Sequence, residues 1–180
     1  MNILVLGSGG REHALAGKIA GSPLLTKLWC APGNAGIARE AECVALDVNN
    51  HPAVIDFCRS NKIDLIVVGP DALIAVGIVD DLTAAGFKTF GATKAAGRLE
   101  SSKSFTKQLC RDHNIPTAAY AHFTDAAAAK SYVRAQEARI VVKADGFAAG
   151  KGVVVAMTLD EVLDAVDMRF GGGFGEAGAE

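Results

Sequence analysis

The chain has 180 residues, 50% hydrophobic and 21% charged, with 18 Lys and Arg against 20 Asp and Glu for a formal net charge of −2. With 20 Gly, 5 Pro and 6% aromatics, the composition excludes collagen-like, disordered and disulfide-scaffold classes. It points to an α/β protein whose small residues let helices sit close to a sheet. A sequence pI near 6.1 excludes an extensive basic surface for nucleic acid, and the length predicts one domain and part of another.

The opening run MNILVLGSGG has no basic segment and breaks into glycines after one short apolar stretch, so it does not read as a signal peptide. The longest apolar stretch, 65–79, is interrupted by Pro70 and Asp71 and falls short of the roughly 20 residues of a membrane span. A cytoplasmic protein with no membrane partner is expected. Cys30, Cys43, Cys58 and Cys110 form no CxxC pair, which predicts reduced, buried thiols rather than a zinc site.

Strands are predicted at 2–6, 27–30, 44–46, 64–68 and 88–90, with helices at 11–20, 52–60 and 73–85 between them. Pro52 suits a first turn and Gly86 a helix stop. This alternation predicts βαβ units and a parallel sheet. Ligands in such sheets bind beyond the carboxyl ends of the strands, so the loops starting at Gly7, Ala31 and Gly69 are expected to share one rim.

From Thr93 the pattern changes to two successive helices, 94–99 and 103–113, and the first domain is expected to end near 99–101, giving domains 1–100 and 101–180. The second unit reads as strand 118–121, helix 125–136, strand 139–144, a glycine-rich loop, strand 153–156 and helix 159–166. Thr158 with Glu161 forms a capping box for the last helix. The terminal GGGFGEAGAE carries no apolar period, so the chain reads as cut inside a domain.

Two glycine-rich segments could carry chemistry. Gly7-Ser8-Gly9-Gly10-Arg11-Glu12-His13 lies between a strand and a helix, where close backbone approach and free N–H groups suit a phosphate. The alternative is a turn that merely packs helix on sheet. A dinucleotide fingerprint would want Gly where Glu12 stands and an acidic residue near 28–31, so NAD binding is disfavoured. In the second segment, 143–152, Asp145 and Gly152 stand where a Walker A loop needs Gly and Ser or Thr. It reads as a hairpin loop with Lys143 at its base and Lys151 at its tip, able to position a polyphosphate; a solvated turn is the alternative.

GSGGREHA at 7–14, PGNAG at 32–36, VVGPDA at 67–72, FGATKAAGRLESSKSFTK at 90–107 and KADGFAAGKGV at 143–153 occur in the order seen in the glycinamide ribonucleotide synthetases, or phosphoribosylamine-glycine ligases. The resemblance covers nearly the whole chain. It implies a Rossmann-like amino-terminal domain followed by the beginning of an α+β ATP-grasp region. The implied reaction is ATP-dependent ligation of glycine to 5-phosphoribosylamine through glycyl phosphate, in de novo purine synthesis.

By the same resemblance Lys103, Lys143, Gly146, Gly150, Lys151 and Gly152 are ATP-binding. Gly9, Gly10, Arg11, Glu12 and His13, with Pro32, Gly33, Asn34, Gly36, Gly69, Pro70 and Asp71, form the acceptor loops. ATP and magnesium are the implied cofactors, and the magnesium ligands and adenine hinge are expected beyond Glu180, so that these 180 residues alone would not turn over. Two departures stand out: Asp71-Ala72-Leu73-Ile74 where the family has Glu followed by Ala-Pro-Leu, and Phe147 in place of Leu. Another ATP-grasp ligase or carboxylase, or a non-catalytic ribose-phosphate binding unit, stays open as an alternative.

The remaining residues read as structural. His51, His113 and His122 suit surface or capping roles, and Trp29 suits the core. Asp80 and Asp81 fall late in a predicted helix, where a solvated face or a site would explain them equally. His13 is divided between packing and ligand contact.

Overall fold

The computed structural model describes residues 1–136, 140–146 and 153–171, which fall into two compact units divided between Gly97 and Arg98. The first contains strands β1 (Asn2–Gly7), β2 (Lys27–Pro32), β3 (Glu42–Cys43), β4 (Leu65–Val68) and β5 (Thr89–Phe90). Every pairing is parallel, in the order β3-β2-β1-β4-β5. Helices α1 (Gly10–Ala20), α2 (His51–Ser60), α3 (Asp71–Val76) and α4 (Ile78–Ala84) connect them. Helix α5 (Lys94–Ser101) holds the division between the units.

Period-two alternation along continuously apolar strands puts buried side chains on both faces of the sheet. Ile3 and Val5 of β1 join Leu28, Cys30 and Val67 on one face, closed by Ala16 of α1 and by Ile37 of a short 3-10 turn. Leu4 and Leu6 join Trp29, Ile66 and Val68 on the other, closed by Val54, Cys58, Leu73, Ile78 and Leu82. Trp29 is a core residue, edge-on to Phe57 with ring centroids 6.3 Å apart. Because β1 is flanked by β2 on one side and β4 on the other, the loops after these three strands meet at a topological switch point.

Two sequence expectations in this unit are corrected. The helix expected over 73–85 is two helices, broken where Gly77 takes φ +94°, a left-handed backbone that glycine adopts at little cost. Asp80 and Asp81 therefore lie in the first turn of α4 rather than late in a helix, where the helix dipole favours negative charge. Asp80 accepts the Lys94 N–H at 2.7 Å, and Asp81 bonds the His51 ring. The strand expected at 44–46 lies at Glu42–Cys43 instead. The Val44 N–H still reaches the Cys30 carbonyl at 2.9 Å, but the next bond runs from the Leu46 N–H to the Val44 carbonyl, a local turn that ends the ladder.

The second unit contains α6 (Lys103–Asp112), α7 (Ala126–Arg134), α8 (Leu159–Phe170) and the antiparallel pair β6 (Ile140–Lys143) and β7 (Val153–Ala156). Val133, Ala156 and Val162 form its buried cluster, flanked by Ile140, Val142 and Leu163. The Thr158–Glu161 capping box is present at the start of α8. Residues 118–121 are not a strand. That stretch is held by side chains of α6 instead: Lys107 Nζ donates to Thr117 Oγ1 and to the Ala118 carbonyl at 2.6 and 2.8 Å, and Arg111 bonds the Tyr120 hydroxyl.

Candidate functional site

The three glycine-rich loops of the first unit come together at the carboxyl ends of β1, β2 and β4. Gly7 pairs with Pro32 in the sheet register, and the Gly33 N–H donates to the Gly7 carbonyl at 3.1 Å. Asn34 ties the second loop to the first: its Nδ2 donates to the Ser8 carbonyl at 2.8 Å, while its Oδ1 accepts from Gly36 and Ile37 N–H at 2.8 and 2.9 Å. The Gly69 N–H reaches the Leu6 carbonyl at 3.4 Å. Pro70 caps α3 and Asp71 opens it.

Glu12 is the hub of this rim. Its side chain is buried, and the carboxylate accepts the Gly9 N–H through Oε2 at 2.8 Å and Arg11 Nε through Oε1 at 2.9 Å. The glycines make room for it. A Cβ built on Gly7, Gly9 or Gly69 would come within 2.5, 2.8 or 2.1 Å of a Glu12 side-chain atom, closer than packed atoms approach. Gly10 faces open space.

Arg11 links the rim's two acids, with Nε on Glu12 and a terminal nitrogen 3.3 Å from Asp71 Oδ1. The Glu12 hydrogen bond, then the nearby Asp71 charge, outweigh partial burial and raise the Arg11 pKa, so the guanidinium stays charged. Arg11 and Asp71 are both exposed, with side chains 53% accessible. His13 is exposed as well, its ring against Gly36, where a Cβ would lie 2.5 Å from Cε1. The core-packing option for His13 falls away.

In the second unit the structure brings Lys103, at the start of α6, to the base of the glycine-rich loop 42 residues or more downstream. Lys103 Nζ donates to the Gly146 carbonyl at 2.9 Å. Asp145 holds the arrangement together by accepting the Lys103 N–H, the Ser104 N–H and hydroxyl, the Ser102 hydroxyl and its neighbour Gly146 N–H. Lys143 closes β6 as an exposed residue. Gly150, Lys151 and Gly152, predicted to act with them, lie outside the described residues, as does Phe147.

Sequence reading missed Asp145, Ser102 and Ser104 as parts of this cluster. Their local signals, a helix N-cap and an Asp-Gly turn, are common ones, and no spacing pattern links positions so far apart. Among the described residues, no group of three or more His, Cys, Asp or Glu side chains could hold a metal ion.

The fold is one also found in solved structures of a ligase and of a carboxylase. The chain superposes on a phosphoribosylamine-glycine ligase from Thermotoga maritima with a TM-score of 0.80 and 24% identity, over 98% of this chain and 41% of that one. A biotin carboxylase from Campylobacter jejuni gives 0.74 and 21%, over 98% and 43%.

Sequence narrows the class to a family: the chain belongs to the phosphoribosylglycinamide synthetases, matching the model of their N domain over residues 1–100 and that of their ATP-grasp (A) domain over 101–180. It is 63% identical over 180 residues to the phosphoribosylamine-glycine ligase of Mesorhizobium japonicum, and 54% identical over 181 residues to that of Escherichia coli O157:H7. The chain spans 42% of the length of each of these relatives.

Proposed function

We propose that this chain supplies the acceptor rim and the first ATP-binding elements of a ligase that joins glycine to 5-phosphoribosylamine. ATP phosphorylates the glycine carboxylate: one carboxylate oxygen bonds the terminal phosphorus as ADP leaves. The amine of phosphoribosylamine then attacks the acyl carbon, phosphate departs, and the nitrogen gives up a proton, leaving glycinamide ribonucleotide. The observation that carries the reading is the match of both domain models, in order, across all 180 residues. On this reading residues 1–100 and 101–180 are the two functional domains, working in the cytoplasm on small molecules.

Each unit contributes what such a reaction needs, which is positioning and charge neutralisation rather than a protein nucleophile. Lys103, fixed by its bond to Gly146, and Lys143 at the end of β6 offer ammonium groups to nucleotide phosphates. Arg11 and Asp71 present a guanidinium and a carboxylate at the mouth of the rim, suited to an anionic group and to hydroxyl or amine donors of one ligand.

Steady-state assay of ADP release with glycine and phosphoribosylamine, in the enzyme that carries this chain, tests the assignment. Arg11→Ala is expected to raise KM for phosphoribosylamine, and Lys143→Ala to lower turnover. ADP release that needs neither glycine nor phosphoribosylamine would overturn the reaction. Unchanged kinetics in both variants would overturn the residue roles.

A further inference from the structure

A glycine turn between the first strand and first helix of a parallel sheet, at the switch point of strand order, is ordinarily open to phosphate. The backbone comes close, the first N–H groups of the helix lack partners, and the dipole adds positive charge. Here that place is taken. We infer that Glu12 is a specificity-determining residue that closes the start of α1 to phosphate groups, so that an anionic ligand is met only at the outer edge of the rim, by Arg11.

Three observations converge on this. The Glu12 side chain turns back along the helix start and is 3% exposed, so it fills the space rather than fringing it. Its Oε2 already holds the Gly9 N–H at 2.8 Å, the donor a phosphate oxygen would need. The vacated volume is the side chain's own mould: substituent atoms on Gly7, Gly9 and Gly69, from two separate loops, would each collide with Glu12.

Electrostatics adds to the steric exclusion. A phosphate brought against a buried carboxylate meets a like charge in a low-dielectric setting, where repulsion is far stronger than in water. Arg11 Nε already pairs with that carboxylate, so its compensating charge is partly engaged. Arg11 is nevertheless half exposed and reaches outward to Asp71, which leaves the guanidinium as the rim's cationic contact. Glycine at position 12 would turn the run beginning at Gly7 into the G-x-G-x-x-G pattern of dinucleotide sites. One side chain thus separates a pyrophosphate-binding turn from an acceptor rim. Which anions the turn admits does not depend on the identity of the acceptor.

Inorganic pyrophosphate titrated into the isotopically labelled chain is the probe, read at the Gly9 amide resonance, with native Trp29 fluorescence as the check on folding. The wild-type chain is expected to leave Gly9 unmoved. Glu12→Gly empties the mould and frees the N–H, and is expected to show saturable Gly9 and Gly10 shifts with a Kd at least about ten-fold below any wild-type value. Glu12→Gln keeps the plug without its charge and is expected to behave as wild type, which separates filling from repulsion. Should Glu12→Gly not fold, Glu12→Ser, whose short side chain also empties the mould and frees the Gly9 N–H, carries the same expectation. A saturable Gly9 shift in the wild-type chain, or a stationary Gly9 in folded Glu12→Gly or Glu12→Ser, overturns the inference. Loss of acceptor kinetics in Arg11→Ala would leave it untouched.

Discussion

Gly69 and Glu12 share one volume: a single methyl group on Gly69 would stand 2.1 Å from Glu12 Oε1 and under 3 Å from two further atoms of the same side chain. Gly69 follows β4 and Glu12 lies in α1, so this contact makes the helix start depend on a loop about 60 residues away. Gly69→Ala is therefore expected to destabilise the first unit by about 1–3 kcal/mol through overpacking. In Glu12→Ala, the same Gly69→Ala change is expected to cost much less, because the colliding side chain is gone and the two effects do not add. Urea unfolding followed by Trp29, the only tryptophan, measures both; equal penalties in the two backgrounds would show that the pair is not coupled.

Asn34 acts as a donor to one loop and an acceptor for its own, and these two roles can be separated. Asn34→Ala loses both and is expected to cost about 1–2 kcal/mol, since Gly36 and Ile37 N–H lose their acceptor. Asn34→Asp still accepts from both but cannot donate to the Ser8 carbonyl. It is expected to recover most of the stability while leaving KM for the proposed acceptor raised, because the first loop is no longer tied. Full recovery of KM in Asn34→Asp would show that the Ser8 tie does not shape the rim.

The parallel sheet was legible because 2–6, 27–30 and 64–68 are short apolar runs separated by helix-length segments, and tertiary packing agrees with that local pattern. Gathering of the Gly7, Ala31 and Gly69 loops followed from topology alone. The stop at Gly77 was not legible. A lone glycine inside an apolar helical pattern is usually tolerated, and only its left-handed φ, with Asp80 and Asp81 beyond it, makes it a boundary. Residues 118–121 failed as a strand for another reason: no partner strand exists for them among the described residues, and the Lys107 and Arg111 side chains satisfy that stretch instead. The bond from the Gly9 N–H to Glu12 follows from spacing, as the N3 arm of a helix cap, but the burial of Glu12 against Gly7 and Gly69 could not be read from its position, because no local signal places the loop after β4 beside the start of α1.

The cysteines provide a chemical test of the two sheet faces. Burial pushes the Cys58 thiol up to about 12, and burial, then nearby Cys43 and Glu12, pushes Cys30 up to about 11. Both lie in the core, whereas Cys43 and Cys110 are half-buried. Only the thiolate reacts, so iodoacetamide at pH 8 is expected to modify Cys43 and Cys110 in the native chain and all four cysteines in urea. Native modification of Cys30 or Cys58 at the rate of Cys110, read by peptide mass, would contradict the buried placement.

Asp145 sets the pH range over which the second cluster holds. Its partial burial works to raise its pKa, but the Ser104 hydroxyl and the N–H groups of Lys103, Gly146 and Ser104 together outweigh that and bring it below the ordinary aspartate value. A carboxyl with a folded-state pKa below its unfolded one stabilises the fold above the ordinary aspartate range, and that contribution disappears as pH falls through the depressed value. The cluster is therefore expected to stay closed from neutral pH through mild acid and to open only below the range in which exposed aspartates titrate. A carbon-detected pH titration should give Asp145 a midpoint below the ordinary aspartate value. The Lys103 amide should lose its protection from hydrogen exchange through the same transition. In Asp145→Asn that acid transition is expected to vanish: the amide oxygen still accepts from the Lys103 N–H, and the Ser102 and Ser104 hydroxyls can turn to accept from the new amide NH2. An Asp145 midpoint at or above the ordinary aspartate value, or a Lys103 amide equally protected in Asp145→Ala, would show that this carboxylate does not hold the start of α6 to the loop.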